Sequence, residues 1–300
     1  MTPTVERHVL TVTADDFATA RLQLHVPAQA QVGLYWLPAL GVGIVPNETL
    51  ADELAAQGVA VAVHEWRGLG DSDRRAARRC DWGYKDLLDI DIAAGLAAAR
   101  ARCPGLRWYL GGHSLGGQLA LLQASLIQAS LKQAGLQQPA RHADEFDGVL
   151  LVASGQPHWR AFPGWRSVGV LGFALVLPAV TNIVGHFPGA TLGFAGREAA
   201  TLMREWAGTA ISGHYRIRAF GTKLDDALAA YTGRVLAIRM SEDRLAPSGA
   251  IDRLRALTPR ADWSVQVFGR AEIVNRRPNH FGWLREPTAV AAAFAAWRDR

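Results

Sequence analysis

Five consecutive residues, Gly112-His113-Ser114-Leu115-Gly116, carry the most legible chemistry in this chain. They follow an apolar run, 106–110, and open a long apolar-periodic stretch, 118–134. Strand, sharp turn and helix is the setting in which a G-x-S-x-G serine is presented as a nucleophile above a sheet. A serine on that turn is held in a strained backbone conformation, and side chains two residues to either side would collide with it, so both flanking positions are glycine. A serine hydroxyl is a poor nucleophile at neutral pH and needs a base. The base in turn needs a third group to fix its tautomer.

On this type of sheet the partners follow in the order acid, then histidine. The segment Ser241-Glu242-Asp243-Arg244-Leu245-Ala246-Pro247 comes after an apolar run at 235–240, and Pro278-Asn279-His280-Phe281-Gly282 comes after a run at 265–268 and its loop. Ser114, Asp243 and His280 are the expected nucleophile, orienting acid and general base. Glu242 is the direct competitor of Asp243. His113 adjoins the nucleophile, but its side chain is expected to point away from it. His158, His186 and His214 come too early to take the last place in the order. A tetrahedral intermediate also needs an oxyanion hole. The backbone N–H of Leu115 is the expected first donor. The second is expected from the loop after the run at 32–37, with Leu40 preferred and Ala39 as the alternative. Pro38-Ala39-Leu40-Gly41 can equally be read as a strand-to-helix turn.

The elements that must position these residues follow from periodicity. Strands are expected at 9–12, 20–26, 32–37, 59–64, 106–110, 149–152, 235–240 and 265–268, and helices at 49–57, 86–100, 118–134 and 288–297. The first two strands are joined by a turn at Asp15-Asp16. Strands alternating with helices predict an α/β fold, a mostly parallel sheet covered on both faces. The alternation fails between Ser154 and Tyr231, which holds Trp159, Trp165, Trp206, many glycines and no clear strand. It reads as a helical insertion at 154–231, a cap over the ligand-binding edge of a core made of 1–153 and 232–300. The apolar run at 168–184 falls slightly short of a membrane span and is interrupted by Pro178, Thr181 and Asn182. A buried or lid segment is expected there, with no integral span. Trp159, Phe162, Trp165 and this run exceed what a small insertion buries within itself. They should roof the pocket above Ser114 or, as the alternative, pack on a second copy in a homodimer.

The net charge of +5 over 300 residues is spread along the chain, so a solvated basic surface is expected and no nucleic-acid partner. Cys80 and Cys103 are the two cysteines, too few for a zinc site or a disulfide framework, which suits a reducing cytoplasm. Residues 1–10 show no signal-peptide pattern. No metal and no organic cofactor is expected.

These pieces together resemble the α/β-hydrolase superfamily. Gly112 to Gly116, Asp243 to Pro247 and Asn279-His280 match, as does Arg67-Gly68-Leu69-Gly70-Asp71-Ser72, which resembles a structural turn many members carry after an early strand. Within the superfamily the chain is most similar to bacterial hydrolases of the serine aminopeptidase and lysophospholipase-like group. That similarity rests on residues 38–42, 112–118, His186-Phe187-Pro188-Gly189 and Leu192-Gly193-Phe194. Pro38-Ala39 departs from the His-Gly dipeptide of many members. The reading implied is a serine hydrolase acting on an ester or thioester of an apolar acyl group. Acyl transfer and amide or peptide hydrolysis are alternatives on the same residues, and a non-catalytic binding protein is the rival of another class.

Overall fold

The computed structural model describes residues 4–135, 146–193 and 195–300. The chain opens with two strands, β1 (Val5–Thr13) and β2 (Thr19–Pro27), paired antiparallel through a tight turn at Asp15-Asp16. β3 (Val32–Leu37), α1 (Glu48–Ala55) and β4 (Val59–His64) follow, and every residue of β3 and β4 is buried. Continuous apolar, β-branched runs of this kind suit strands covered on both faces. A π-wound helical segment, Asp86–Ile92, continues as α2 (Ala93–Arg102), then β5 (Arg107–His113), α3 (Leu115–Gln133) and β6 (Phe146–Val152).

The stretch after β6 holds a short turn of helix, Trp159–Ala161, then α4 (Trp165–Val184), β7 (Phe187–Pro188), α5 (Gly189–Leu192), β8 (Arg197–Glu198), α6 (Ala200–Ser212) and α7 (Lys223–Ala230). The sheet resumes with β9 (Arg234–Met240), α8 (Ser248–Leu257) and β10 (Asp262–Phe268), and α9 (Thr288–Arg298) follows. The main sheet has eight strands in the order β1-β2-β4-β3-β5-β6-β9-β10. All its pairings are parallel except those of β2 with β1 and β4. One core lies on the face covered by α2, α3, α7 and α8, and the other beneath α1 and α9.

The register brings the functional loops together. Leu37 lies beside Gly112, His113 beside Val152, Val152 beside Ile238, and Met240 beside Phe268. The loops after β3, β5, β6, β9 and β10 therefore leave the sheet at one carboxyl edge, where open α/β sheets bind ligands.

The stretch 154–231 differs from expectation in two ways. It contains a strand pair, the two-residue β7 and β8, with α5 in the connection between them. The run at 168–184, expected as a buried or lid segment interrupted at Pro178, is unbroken and buried on one side only. It belongs to one continuous helix, α4, that passes through Pro178. Proline removes a donor from the helix ladder and leaves the Ala174 carbonyl, four residues earlier, without its usual partner. The helix nevertheless runs on, and beyond the proline the Thr181 hydroxyl donates to the Leu177 and Pro178 carbonyls at 3.0 and 3.1 Å. Only the inner side of α4 is covered, by α6, through Ala174, Leu177 and Thr181. Further along, α7 packs on α3, and its Leu224, Ala227 and Leu228 join the sheet core. Phe194, read above with the insertion motif, lies outside the described residues.

Candidate active site

Ser114 sits between the last residue of β5 and the first of α3, with φ 54° and ψ −119°. A side chain at this φ is unfavourable and persists only where the surroundings over-determine it. Here the Ser114 N–H donates to Val152 O at 3.2 Å. Its carbonyl accepts from the Ser154 hydroxyl at 2.7 Å and from the amides of Gly117 and Gln118 at 3.1 and 3.3 Å. The turn also needs bare backbone on both sides. A Cβ on Gly112 would stand 2.3 Å from the Gly116 carbonyl carbon, and one on Gly116 would stand 2.1 Å from Leu37 O. The two glycines of the pentapeptide thus press against each other and against the end of β3.

His280 is held in a loop tied at several points. Asn279 Oδ1 accepts from the amides of Phe281 and Gly282, and the His280 carbonyl accepts from the Trp283 indole at 3.0 Å. The Glu242 amide donates to Pro278 O at 2.9 Å, linking this loop to the one after β9. His280 Nδ1 lies 2.9 Å from Asp243 Oδ2. The other oxygen of Asp243 accepts from the amides of Leu245 and Ala246 at 2.8 and 3.0 Å. Asp243 is buried and acts only as acceptor when ionised. His280 Nδ1 therefore carries the proton, and Nε2 is left as the basic nitrogen. Glu242 faces the surface instead, with Arg270 at 3.0 Å and Arg277 at 3.5 Å.

His113 is expected to point away from Ser114, and its ring touches His280 instead. Its ring centroid is 4.8 Å from that of His280, 5.2 Å from Trp283 and 5.5 Å from Phe281. It is fully buried, and among the described residues neither ring nitrogen has a hydrogen-bond partner of good geometry. Burial, together with repulsion from His280 when charged, holds its pKa well below the ordinary histidine value, against the opposing pull of the His280 backbone. The ring is thus a neutral wall against one face of His280. Sequence reasoning missed this contact, and it missed Ser154. The available signal for Ser154 was its place just past β6, the strand beside the one that leads into Ser114.

Ser114 and His280 line one cavity of about 440 Å³. Ala39, Leu40, Leu115, Phe162, Trp165, Val170, Phe173 and Trp206 give it an apolar lining. Among the described residues no hydrogen bond joins Ser114 Oγ to His280. Among the same residues, neither the Ala39 nor the Leu40 amide donates within the protein, and both residues face the cavity. Leu115 begins α3, where the first amides have no acceptor within the helix. The loop carrying Ala39 and Leu40 is wedged at Gly41, φ 73°, where a Cβ would stand 2.4 Å from the Gly196 nitrogen. The Arg67 turn lies apart from the cavity. Arg67 pairs with Asp91 at 2.6 Å and Asp16 at 2.7 Å, a structural clamp. No group of His, Cys, Asp and Glu among the described residues is arranged to hold a metal ion.

Residues 46–157 match the family model described as serine aminopeptidase, S33. Among solved structures, the chain resembles Est1E from Butyrivibrio proteoclasticus, determined with ferulic acid bound, at 12% identity and a TM-score of 0.62. That likeness covers 96% of this chain and 98% of the other. An esterase from Exiguobacterium antarcticum aligns with a TM-score of 0.62 at 14% identity, over 98% of this chain and 100% of that one. The chain has the α/β-hydrolase fold. A third structure of this fold, Est816, described as an N-acyl homoserine lactone degrading enzyme, aligns at 18% identity with a TM-score of 0.55, over 96% of this chain and 100% of its own. A search of curated protein sequences returns no match.

Proposed function

We propose that this chain is a serine esterase of the α/β-hydrolase superfamily that cleaves esters or thioesters of apolar acids through an acyl-enzyme on Ser114. The observation that carries the reading is one arrangement. A serine on a strained turn shares an apolar cavity with His280, whose far nitrogen is held by a buried, fully hydrogen-bonded Asp243. In this scheme His280 Nε2 takes the Ser114 proton as the hydroxyl attacks the acyl carbon. The Leu115 amide and that of Leu40 or Ala39 receive the developing oxyanion. His280 then gives its proton to the leaving alcohol or thiol. Water, deprotonated by the same nitrogen, releases the acid and restores Ser114. Asp243 stays ionised throughout and stabilises the imidazolium. The serine and imidazole close to hydrogen-bond distance in the substrate complex, as such pairs commonly do when loose in the free enzyme.

The insertion acts as a cap in this reading. Phe162, Trp165, Val170 and Phe173 stand across the cavity from the sheet edge and form an apolar wall for an acyl chain. Each methylene buried there contributes about 0.8 kcal/mol, up to a few-fold in kcat/KM per carbon. Both cysteines are free, which fits work in a reducing cytoplasm. A series of aryl esters from acetate to octanoate tests the reading. The kcat/KM should climb with chain length and then level off when the cavity is full. A flat profile, with Ser114 confirmed reactive, contradicts the apolar-acyl assignment.

A further inference from the structure

Among the described residues α4 is the one helix long and apolar enough to cross a membrane. It cannot do so as folded, because its inner side is committed to the protein. Ala174, Leu177 and Thr181 are buried, and Val170 and Phe173 line the cavity. The outer side has no partner of that kind. Trp165 is 79% exposed, Val168 69%, Leu175 59%, Val176 56% and Ile183 76%. With Gly172 and Ala179, also exposed, they recur every three or four residues and form one stripe about 27 Å long. A continuous apolar face of this size on a soluble surface marks an interaction site.

We propose that this outer face of α4 docks on the surface of an anionic lipid bilayer. Its apolar residues would enter the headgroup boundary, and the helix axis would lie along the membrane. Three observations favour lipid over a second copy of the chain. The sequence contains no Asp or Glu between Asp147 and Glu198, while Arg160 and Arg166 flank the start of the helix. Arg78 lies against the other end, donating to the Asn182 and Ile183 carbonyls. Cationic residues at both ends complement anionic headgroups, whereas two copies pairing through this face would bring arginine against arginine in either orientation. The aromatic placement agrees. Trp159 and Trp165 stand at the entry to the helix, with Arg160 and Arg166 over their rings at 4.8 and 5.9 Å. Tryptophan bodies with adjacent basic groups are the side chains that settle at a membrane interface. Finally, Trp165 belongs both to the exposed stripe and to the wall of the cavity, so the cavity adjoins the docking face.

The test is co-sedimentation of the full chain with vesicles of phosphatidylcholine alone and of phosphatidylcholine mixed with phosphatidylglycerol. The wild-type chain should partition onto the mixed vesicles at least about ten-fold more strongly than onto neutral ones, and less so at high salt. The double variant Leu175→Glu/Ile183→Glu should lose this binding. Neither residue lines the cavity, so turnover of a soluble short-chain ester should be unchanged and would report an intact fold. Quenching of wild-type tryptophan fluorescence by brominated lipids should show the same dependence without any substitution. Absence of both binding and quenching with mixed vesicles overturns the proposal. So does a stable dimer by light scattering that the double variant dissociates, which would assign the face to a second copy. Because binding is read without catalysis, Ser114→Ala should sediment like wild type. A failure of the esterase reading is thereby kept separate from a failure of this one.

Discussion

Glu242 and Asp243 are neighbours in the chain and face opposite ways. Asp243 fixes the imidazole that the mechanism needs, while Glu242 holds two arginines at the surface. Asp243→Asn should therefore lower kcat by roughly 10³ to 10⁴ with the fold retained, because the amide favours the wrong histidine tautomer. Glu242→Gln should change kcat less than about two-fold, as exposed ion pairs contribute little. Steady-state kinetics of the two purified variants decides between them, and the reverse ranking would show that the acid is misassigned. The three proposed reacting residues were legible because chain order and position after strands constrain them. The choice between Glu242 and Asp243 was not, since it turns on how the loop after β9 folds back. The Asp243 carboxylate caps the amides of Leu245 and Ala246, and that turn selects it. His113 was set aside for a similar reason. Its contact with His280 exists because Trp283, far along the chain, closes the other side of the ring.

At the scale of elements, the loop after β3 is braced from the insertion. Gly41 packs on the Gly196 nitrogen, and the Gly196 amide donates to Glu198 at 2.8 Å. Glu198 is buried, and burial pushes its carboxyl up to about 7, against the opposing effect of the Gly196 hydrogen bond. In the unfolded chain it titrates near 4.5. Between those values the folded chain holds the extra proton, so this group adds stability as pH falls from 7 to 4.5, and the gain is lost as pH rises through 7. Glu198→Gln keeps the acceptor for Gly196 and carries no charge. Urea unfolding should find it more stable than wild type at alkaline pH, by up to about 3 kcal/mol, with the gap closing by about pH 5. A constant difference across that range would place the ionisation elsewhere. The strands of the main sheet were readable because buried apolar runs and flanking turns leave little choice. The continuity of α4 was not. Pro178 and Thr181 look like breakers in sequence, but the proline withdraws a single ladder donor, and the buried Thr181 turns its hydroxyl back onto helix carbonyls and stays within the helix.

Across the whole molecule, aligned strand ends gather the five loops that build the cavity, and the insertion closes it from the opposite side. The alternation of strands and helices made that architecture legible. The arrangement of the insertion was hidden, because its apolar residues divide between the cavity and the open surface, and a hydropathy pattern does not say which side is which. The net charge of +5 reads as an even basic surface in composition, whereas the fold places arginines at both ends of an exposed apolar helix. Covalent chemistry at Ser114 is the step on which the proposed mechanism depends most. Peptide mass analysis after exposure to a fluorophosphonate measures it directly. The expected result is a single adduct on the peptide carrying Ser114, lost in Ser114→Ala and formed far more slowly in His280→Ala. An unmodified Ser114 in the folded wild-type chain, or an adduct on a different residue, would contradict the mechanism.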